Sequence, residues 1–224
     1  MEYSTQGNGT TWNGGEETDR LLTSAARGNT KDLERLLGLH TGRLTRMIAL
    51  RIDSRLSRRI DVEDVIQEVH LQAAQHLSAY LRTPDVPFYL WLRGVTANVL
   101  LELHRRHLGT KMRDARREVS ISRGQVPEAS SQVLAWDLAD SSTSPSNAAM
   151  KAERQSQLQQ VVDRLPVSDK EVLSLRHFEQ LTPSETAQVL QISEKAAGMR
   201  YVRALKRLRE ELAATPGGLS DWRL

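Results

Sequence analysis

The chain has 224 residues, a formal net charge of +3 and no cysteine. Without cysteine it can form neither disulfide bonds nor thiolate metal sites, and no cysteine nucleophile is available. The N-terminal residues are polar, without the apolar segment of a signal peptide, and no stretch approaches the roughly 20 apolar residues of a membrane span. We therefore expect a cytoplasmic protein that does not enter a membrane.

Leucine, alanine, arginine, glutamate and glutamine dominate the chain, and alternating runs of β-branched residues are missing. This composition favours an all-helical fold. The first residues, 1–17, form a polar tail that we predict to be disordered. The apolar spacing after it predicts four helices, which cover about 18–27, 29–52, 62–81 and 88–107. Asp61 is placed to cap the third of them.

The third predicted helix carries acidic and amide side chains on one side. Asp64, Gln67 and Glu68 project away from apolar positions such as Val65 and Val69. No histidine stands at metal-ligand spacing from them, so no metal site is predicted. The residues alone leave two interpretations open, an ordinary solvated face or a docking face for a partner helix.

The fourth predicted helix combines aromatic, amide and basic residues. Trp91, Asn98, Glu102 and Arg105 lie along one side of it, and its end is basic. Tryptophan beside amides and arginines suits unpaired bases, because stacking of one base is worth about 1–3 kcal/mol. Trp91 can equally be a core aromatic of a small domain, and the sequence does not decide between these alternatives.

Residues 111–149 are basic at first and then rich in small and polar residues, with one apolar run at 133–136. We predict a flexible linker over this stretch. It would join a first helical domain, 18–110, to a second one, 150–213. A short tail, 214–224, follows the second domain.

The second domain carries the signals of a helix-turn-helix. Thr182 can cap a short helix, Glu185 completes a capping box with it, and Pro183 occupies the first helical position. Ser193 can cap a second helix that runs to about Leu212. In the helix-turn-helix arrangement the second helix enters the major groove of DNA.

The second helix of this unit has basic residues on one side and apolar residues on the other. No acidic residue lies between Lys195 and Arg209. The outward side carries five basic residues: Lys195, Arg200, Arg203, Lys206 and Arg207. A solvated face normally mixes charges of both signs, so this face suggests a phosphate-rich partner. The alternative is a basic surface helix in an ordinary helical bundle.

Several segments, in this order and spacing, resemble the bacterial extracytoplasmic-function (group IV) sigma factors of the sigma-70 superfamily. They are DVEDVIQEV, PFYLWLRGVTANVLLELHRRH, LPVSDKEVLSLRHFEQLTPSETAQVL and ISEKAAGMRYVRALKRL. The resemblance covers about residues 18–213. It implies a non-enzymatic factor, without cofactor or metal, that binds core RNA polymerase and directs promoter recognition, DNA melting and transcription initiation.

The resemblance also implies roles for individual residues. Contact with the clamp helices of the polymerase β′ subunit falls to Asp64, Gln67 and Glu68. Recognition and melting of the minus-ten promoter element falls to Arg82, Trp91, Asn98, Glu102, Arg105 and Arg106. Contact with the minus-thirty-five element falls to Arg176, Thr182, Lys195, Met199, Arg200 and Arg203. Gly198 departs from the family pattern, and close helix packing is its plainest explanation.

Other functions and partners stay open at this point. An anti-sigma factor is one further partner that the resemblance allows. The chain can also be a helix-turn-helix regulator that works without polymerase, for which we expect a homodimer and a palindromic operator. An enzyme is disfavoured, because the sequence lacks cysteine, metal-spaced histidines and a phosphate-cradling glycine loop.

Overall fold

The structure of the chain, a computed structural model, describes residues 14–53, 55–56, 59–108, 127–140 and 148–215. Within these residues every regular element is helical and no strand occurs, which confirms the all-helical prediction. None of the helices in these segments is long and apolar enough to cross a membrane.

Four helices form the first half of the chain. They are α1 (Gly14–Ala26), α2 (Thr30–Arg51), α3 (Val62–Arg82) and α4 (Phe88–Leu108). The last three follow the predicted bounds closely, whereas α1 begins before the predicted start. Residues 14–17, which the sequence assigned to a disordered tail, are therefore part of α1. The rest of that tail, residues 1–13, lies outside the described residues.

Side-chain caps fix the starts of α2 and α3. The Asn29 side chain accepts a hydrogen bond from the backbone N–H of Asp32 at 3.3 Å, and Asp61 accepts from that of Glu63 at 3.2 Å. Each cap satisfies an amide that has no partner within its helix, which contributes about 1 kcal/mol. Ser24 of α1 also donates to the Asp32 carboxylate, and this hydrogen bond connects α1 with the first turn of α2.

The first four helices pack around one apolar core. Its fully buried members include Leu36, Leu44, Ile48, Val65, Val69, Leu92 and Leu100. Burial of such a side chain stabilises the fold by about 1.5–3 kcal/mol. Two leucines from the second half of the chain, Leu175 and Leu181, belong to the same core. The two halves therefore share apolar contacts.

Part of the predicted linker is a packed helix. This helix, α5 (Ser131–Asp140), carries Leu134 and Ala135, which have no exposed surface in a second core. The flexible-linker prediction is wrong for this part, because the apolar run supplies a buried face rather than an isolated patch. Residues 111–126 and 141–147 of the predicted linker lie outside the described residues.

The second half of the chain continues with four helices. They are α6 (Ala148–Arg164), α7 (Val167–Leu173), α8 (Pro183–Leu190) and α9 (Glu194–Ala213). Between α7 and α8 the chain makes a π-helical turn over Ser174–Phe178. The second core lies between α5, α6, α7 and α9, and Leu158, Val161, Val172 and Leu208 have almost no exposed surface there.

The two halves also meet through four charged residues, which we call the interdomain ion network: Arg51, Arg93, Glu171 and Glu179. Arg51 at the end of α2 contacts both Glu179 and Glu171 at 2.8 Å. Arg93 of α4 contacts Glu179 at 2.5 Å. The first and second halves are therefore in direct contact, while the division into separate domains stays a prediction.

Candidate nucleic-acid interface

α8 and α9 form the predicted helix-turn-helix unit. Thr182 Oγ1 accepts from the backbone N–H of Glu185 at 3.1 Å, and the Glu185 carboxylate accepts from the backbone N–H of Thr182 at 2.8 Å. This reciprocal pair is the predicted capping box, and Pro183 stands at the first helical position. The start of α8 is thus fixed by local interactions alone.

The turn between α8 and α9 depends on one left-handed residue. Gln191 has φ 54°, and the backbone N–H of Ile192 donates to the Ala187 carbonyl at 3.1 Å. A residue in this conformation ends a helix and redirects the chain. Ser193 then caps α9 by accepting from the N–H of Ala196 at 3.2 Å, as predicted. The sequence therefore fixes both ends of the turn.

α9 buries its apolar side against the second core. The buried residues are Ala197, Ala204, Leu208 and Leu212, which were predicted to face inward. The opposite side carries the residues that we call the α9 basic face: Lys195, Met199, Arg200 and Arg203. Lys195, Met199 and Arg203 are exposed and Arg200 is half-buried. None of its three cations is ion-paired with another described residue, so they remain available to an external anion.

The other two residues predicted at this interface lie before α9 in the chain. Thr182 is exposed at the start of α8. Arg176 is half-buried, donates to the Leu181 carbonyl and lies with its guanidinium 5.4 Å from the centre of the Tyr201 ring. Arg176 is thus held by contacts within the chain, beside the helix that carries the α9 basic face.

The predicted docking residues on α3 share one outward side. Asp64 and Gln67 are exposed, and Glu68 is half-buried and accepts from the Gln72 amide at 2.9 Å. Leu71 follows at helical spacing and is 54% exposed. We call Asp64, Gln67, Glu68 and Leu71 the α3 outer face. A single exposed leucine is common on protein surfaces and by itself indicates no partner.

Trp91 lies in the core of the first half. Only 4% of its surface is exposed, and its indole stacks on Tyr80 at 4.8 Å between ring centres and packs against Phe88 at 5.5 Å. In this conformation Trp91 is a core aromatic, which was one of the two interpretations left open by the sequence. Contact with a base requires this part of α4 to become accessible, so that role stays a prediction.

The remaining residues predicted at the minus-ten element lie nearer the surface. Asn98 and Glu102 are half-buried, whereas Arg82, Arg105 and Arg106 are exposed. Asn98, Glu102 and Arg105 share one side of α4 because of their helical spacing. The Glu102 carboxylate is paired with Arg106 four residues later. The C-terminal half of α4 is therefore accessible, whereas its N-terminal half is buried.

Some of the ionisable groups with shifted pKa values, such as Tyr89 and His40, lie near residues of the second half. Burial raises the pKa of the Tyr89 hydroxyl. Burial, with Arg43 close by, lowers the pKa of His40 to about 4. No cluster of histidine, aspartate or glutamate suited to a metal ion occurs in the described segments. What the described faces offer chemically is binding: cations on α9, and carboxylates with an exposed leucine on α3.

Comparison with known proteins shows which proteins the chain resembles. Residues 155–208 match the family described as sigma-70, region 4. The extracytoplasmic-function RNA polymerase sigma factors SigD of Mycobacterium bovis and Mycobacterium tuberculosis are each 26% identical over 200 residues, covering 89% of this chain and 86% of the relative. The probable RNA polymerase sigma factor RfaY of Xanthomonas campestris pv. campestris is 29% identical over 150 residues, covering 67% of this chain and 34% of that protein.

Residues 155–208 thus match region 4 of the sigma-70 family, and over most of its length the chain is similar to extracytoplasmic-function sigma factors. This similarity supports a role in transcription initiation. The fold agrees with a solved structure, that of CnrH in complex with the cytosolic domain of CnrY, which covers 89% of this chain and 99% of its own, with a TM-score of 0.51 and 23% identity.

Not every basic residue of α9 is free of ion pairs. Arg207 pairs with Asp169 of α7, which is buried, and Lys206 pairs with Glu210 at 3.7 Å. The sequence placed both cations on the outward basic side of the helix, because their acidic partners lie on another helix or one turn later. The α9 basic face is therefore restricted to the N-terminal part of the helix.

The structure adds one residue to the α9 surface and corrects the interpretation of another. Val202 is 63% exposed and lies three residues after Met199, which places the two on the same side of the helix. Its signal in the sequence was an apolar residue on the polar side of an amphipathic helix. Gly198 was expected to allow close helix packing, but a Cβ atom placed there meets no atom within 4 Å. That explanation is wrong, because Gly198 faces open space.

Proposed function

We propose that this sigma factor binds core RNA polymerase through its first half and promoter DNA through both halves, and that it directs promoter recognition and melting without catalysing a reaction itself. The α9 basic face is the observation that carries the proposal. Lys195 and Arg203 are exposed and Arg200 is half-buried, and none of them is ion-paired with another described residue. All three stand on the second helix of a capped helix-turn-helix. Such a helix fits the major groove.

In the proposed mechanism, α9 reads duplex DNA at the minus-thirty-five element. Arg200 and Arg203 supply guanidinium groups, which form paired hydrogen bonds with the edge of guanine. Met199 and Val202 offer apolar surface, which suits the methyl group of thymine. Phosphate contacts from residues before α9, such as Thr182, position the unit without reading sequence.

The α3 outer face is the proposed contact with the clamp helices of the polymerase β′ subunit. Its carboxylates give electrostatic complementarity to a basic partner surface, which favours fast and specific association. Exposed Leu71 adds apolar area to the same face. The acidic and apolar components thus have different tasks in one contact.

We propose that α4 contacts the separated strand of the minus-ten element, together with Arg82, which stands before the loop that leads into α4. Arg105 and Arg106 are exposed for phosphate contacts, and Asn98 and Glu102 lie on the side of α4 that Arg105 shares. Trp91 completes this set only when the N-terminal half of α4 is uncovered. Capture of single-stranded bases by stacking and amide contacts then holds the melted state open.

We further propose a regulatory protein partner, an anti-sigma factor. The fold likeness to CnrH, whose structure contains the cytosolic domain of CnrY, supports such a partner. The two halves of this chain already contact each other, so a partner that spans both would find them close together. Co-purification of the full chain with a candidate partner tests this proposal directly.

Run-off transcription with purified core RNA polymerase tests the proposed function. We expect the full chain to give discrete transcripts from a genomic template library, and core polymerase alone to give none at those start sites. Mapped start sites should share two sequence elements upstream. A chain that binds a palindromic operator as a homodimer, and gives no specific transcript with core polymerase, is instead a regulator independent of polymerase.

A further inference from the structure

The helix α9 contains one glycine, Gly198, and it lies on the outward side. Gly198 is exposed, and a Cβ atom placed on it meets no atom within 4 Å. It stands in the helix interior, where glycine is less favourable than alanine because its backbone loses more conformational freedom on folding. Neither close packing nor a turn within the described residues therefore accounts for a glycine at this position.

Open space alone does not indicate a function. Gly42 of α2 is also exposed, and a Cβ atom there likewise meets nothing within 4 Å. What distinguishes Gly198 is the set of side chains around it, because both large apolar residues that α9 exposes, Met199 and Val202, are its neighbours. Met199 is the next residue in the chain, and Val202 lies one turn later on the same side. Gly198 thus belongs to an apolar area within a largely basic face.

Gly198, Met199 and Val202 form a shallow depression on α9, which we call the Gly198 notch. Helical side chains lean toward the N-terminus of their helix, so Val202 leans over the turn that contains Gly198. The floor of the notch is backbone, and its walls are apolar. Met199 and Val202 are 51% and 63% exposed, so both walls are accessible from outside. Since alanine differs from glycine by one methyl group, the unfilled space is at least of that size.

Cations on both sides of the notch favour the approach of a polyanion to this face. Lys195 lies one turn before Gly198, Arg203 lies one turn after Met199, and both cations are exposed. Neither of them is ion-paired with another described residue. Lysine and arginine contacts with phosphates position a helix on DNA without reading its sequence. The notch lies between these two cations, on the part of α9 that would face the bases.

In the major groove a missing side chain changes how closely the helix can approach. The groove is about 12 Å wide and an α-helix with its side chains has a diameter of about 10–12 Å, so side chains limit the approach of the backbone to the bases. At Gly198 no side chain intervenes. The apolar group that distinguishes thymine in this groove is its C5 methyl group. That methyl group matches the notch in size and in polarity.

We propose that Gly198 is a specificity-determining residue of α9, and that the Gly198 notch holds the C5 methyl group of one thymine in the recognised duplex. The inference rests on the part of the proposed function that assigns duplex DNA to α9, and it does not depend on a contact with polymerase. Arginine side chains select guanine by hydrogen bonds, whereas the notch selects by available space. Burial of the methyl group against Met199 and Val202 should favour thymine about fourfold in affinity.

Exchange of one methyl group between DNA and protein tests the notch. A random duplex library is enriched for binding to the full chain, alone and with core polymerase, and each thymine of the enriched duplex is then replaced singly by deoxyuridine, which lacks only the C5 methyl group. Fluorescence anisotropy at fixed salt should show a loss of about fourfold for the parent chain at one thymine. Gly198→Ala fills the notch with its own methyl group. It should bind the original duplex more weakly, by about fourfold or more, and should prefer deoxyuridine at that same position.

The matched control is Gly42→Ala, which adds the same methyl group to an equally open glycine on α2. It should keep the parent's affinity and the parent's preference for thymine. Thermal unfolding separates binding from folding, because each alanine variant should unfold about 2–4 °C above the parent. A Gly198→Ala chain that is more stable and yet binds the duplex more weakly has lost a contact with DNA rather than its fold.

The notch and the proposed function fail in different ways. The notch is overturned if no duplex is enriched, if no deoxyuridine weakens binding by the parent, or if Gly198→Ala keeps the parent's affinity. An equal loss by Gly198→Ala on the original and on every deoxyuridine duplex also overturns it, since Gly198 would then approach a phosphate, which carries no sequence information. The proposed function fails separately, when the unmodified chain gives no specific transcript with core polymerase. A chain that transcribes, while Gly198→Ala binds like the parent, keeps the function and loses the notch.

Discussion

The indole of Trp91 stacks on the ring of Tyr80 with 4.8 Å between centres, and the Tyr80 hydroxyl donates to the Val86 carbonyl at 3.0 Å. One tyrosine therefore joins the core of the first half to the loop that precedes α4. The loop and the aromatic core are coupled through Tyr80, so a change in the conformation of the loop should alter the packing of Trp91. This geometry gives Trp91 a structural task whatever contact it makes with DNA.

Trp91→Ala should destabilise the full chain by about 3–5 kcal/mol, because it opens a cavity beside Tyr80 and Phe88. Urea unfolding followed by circular dichroism measures the change. Leu39→Ala is the control, since Leu39 is 46% exposed and its loss should cost little. A Trp91→Ala chain as stable as the parent would show that the ring does not pack in the core in solution.

Reversal of charge on the α3 outer face should abolish binding to core polymerase. The double variant Asp64→Lys, Glu68→Lys replaces the carboxylates proposed for the β′ contact, and both residues lie outside the core, so the helical content should be preserved. Pull-down of core polymerase with the tagged chain gives the result. Glu34→Lys, an exposed acid on α2, is the matched control. Undiminished holoenzyme formation by the double variant would contradict the assignment.

Arg203→Ala should weaken duplex binding and relax the preference for one base. We expect a loss of about 1–3 kcal/mol on the preferred sequence and a smaller loss on sequences changed at that base. Arg164→Ala is the control, because Arg164 is an exposed arginine of the same half that pairs with Glu211, at the opposite end of α9 from Lys195. Binding is measured by fluorescence anisotropy at fixed salt. Equal losses on all sequences would demote Arg203 to a phosphate contact.

The helix-turn-helix was predictable from sequence because short-range rules specify it. The caps at Thr182 and Ser193 and the inward residues of α9 each depend on neighbours within a few positions. The interdomain ion network was not predictable in the same way. Arg51 and Glu179 are 128 positions apart, and nothing in their local sequence distinguishes a buried ion pair from two surface charges. The α5 helix was missed for a related reason, since its apolar run is short and its partners lie elsewhere.

The same distinction applies to single residues of the candidate site. Val202 could have been found from its apolar character on a polar helix side. Arg207 could not have been excluded, because its pairing with Asp169 joins α9 to α7 through tertiary contact. Trp91 remained undecided because a tryptophan at helical spacing suits both a core and a stacking surface. Local patterns thus locate elements and faces, while burial and pairing decide which residues of a face are available.

His40 should make stability depend on pH in the mildly acidic range. Burial and Arg43 lower its pKa to about 4, partly opposed by Glu185, so the folded chain holds His40 neutral at a pH where the unfolded chain binds a proton. Stability should therefore fall as pH drops from about 6.5 toward 4, and the effect of His40 should be complete below that.

The contribution of His40 is isolated by comparison with His40→Gln. Burial also lowers the pKa of His70 and His104, so the wild-type slope has more than one source. Urea midpoints measured between pH 7 and 4 should show a shallower dependence in His40→Gln than in the parent. Parallel curves for the two chains would mean that His40 is accessible to protons in the folded state.

Two glycines with empty space around them should respond to alanine in opposite directions. Gly198 lies within α9 and Gly28 has φ +90°, and an added Cβ meets no atom within 4 Å at either position. Gly198→Ala should stabilise the chain by about 1 kcal/mol, because alanine is the better helix former. Gly28→Ala should destabilise it, because alanine is strained at positive φ. Thermal unfolding midpoints measure both changes, and a loss of stability in Gly198→Ala would mean that α9 packs closely against another element at that position after all.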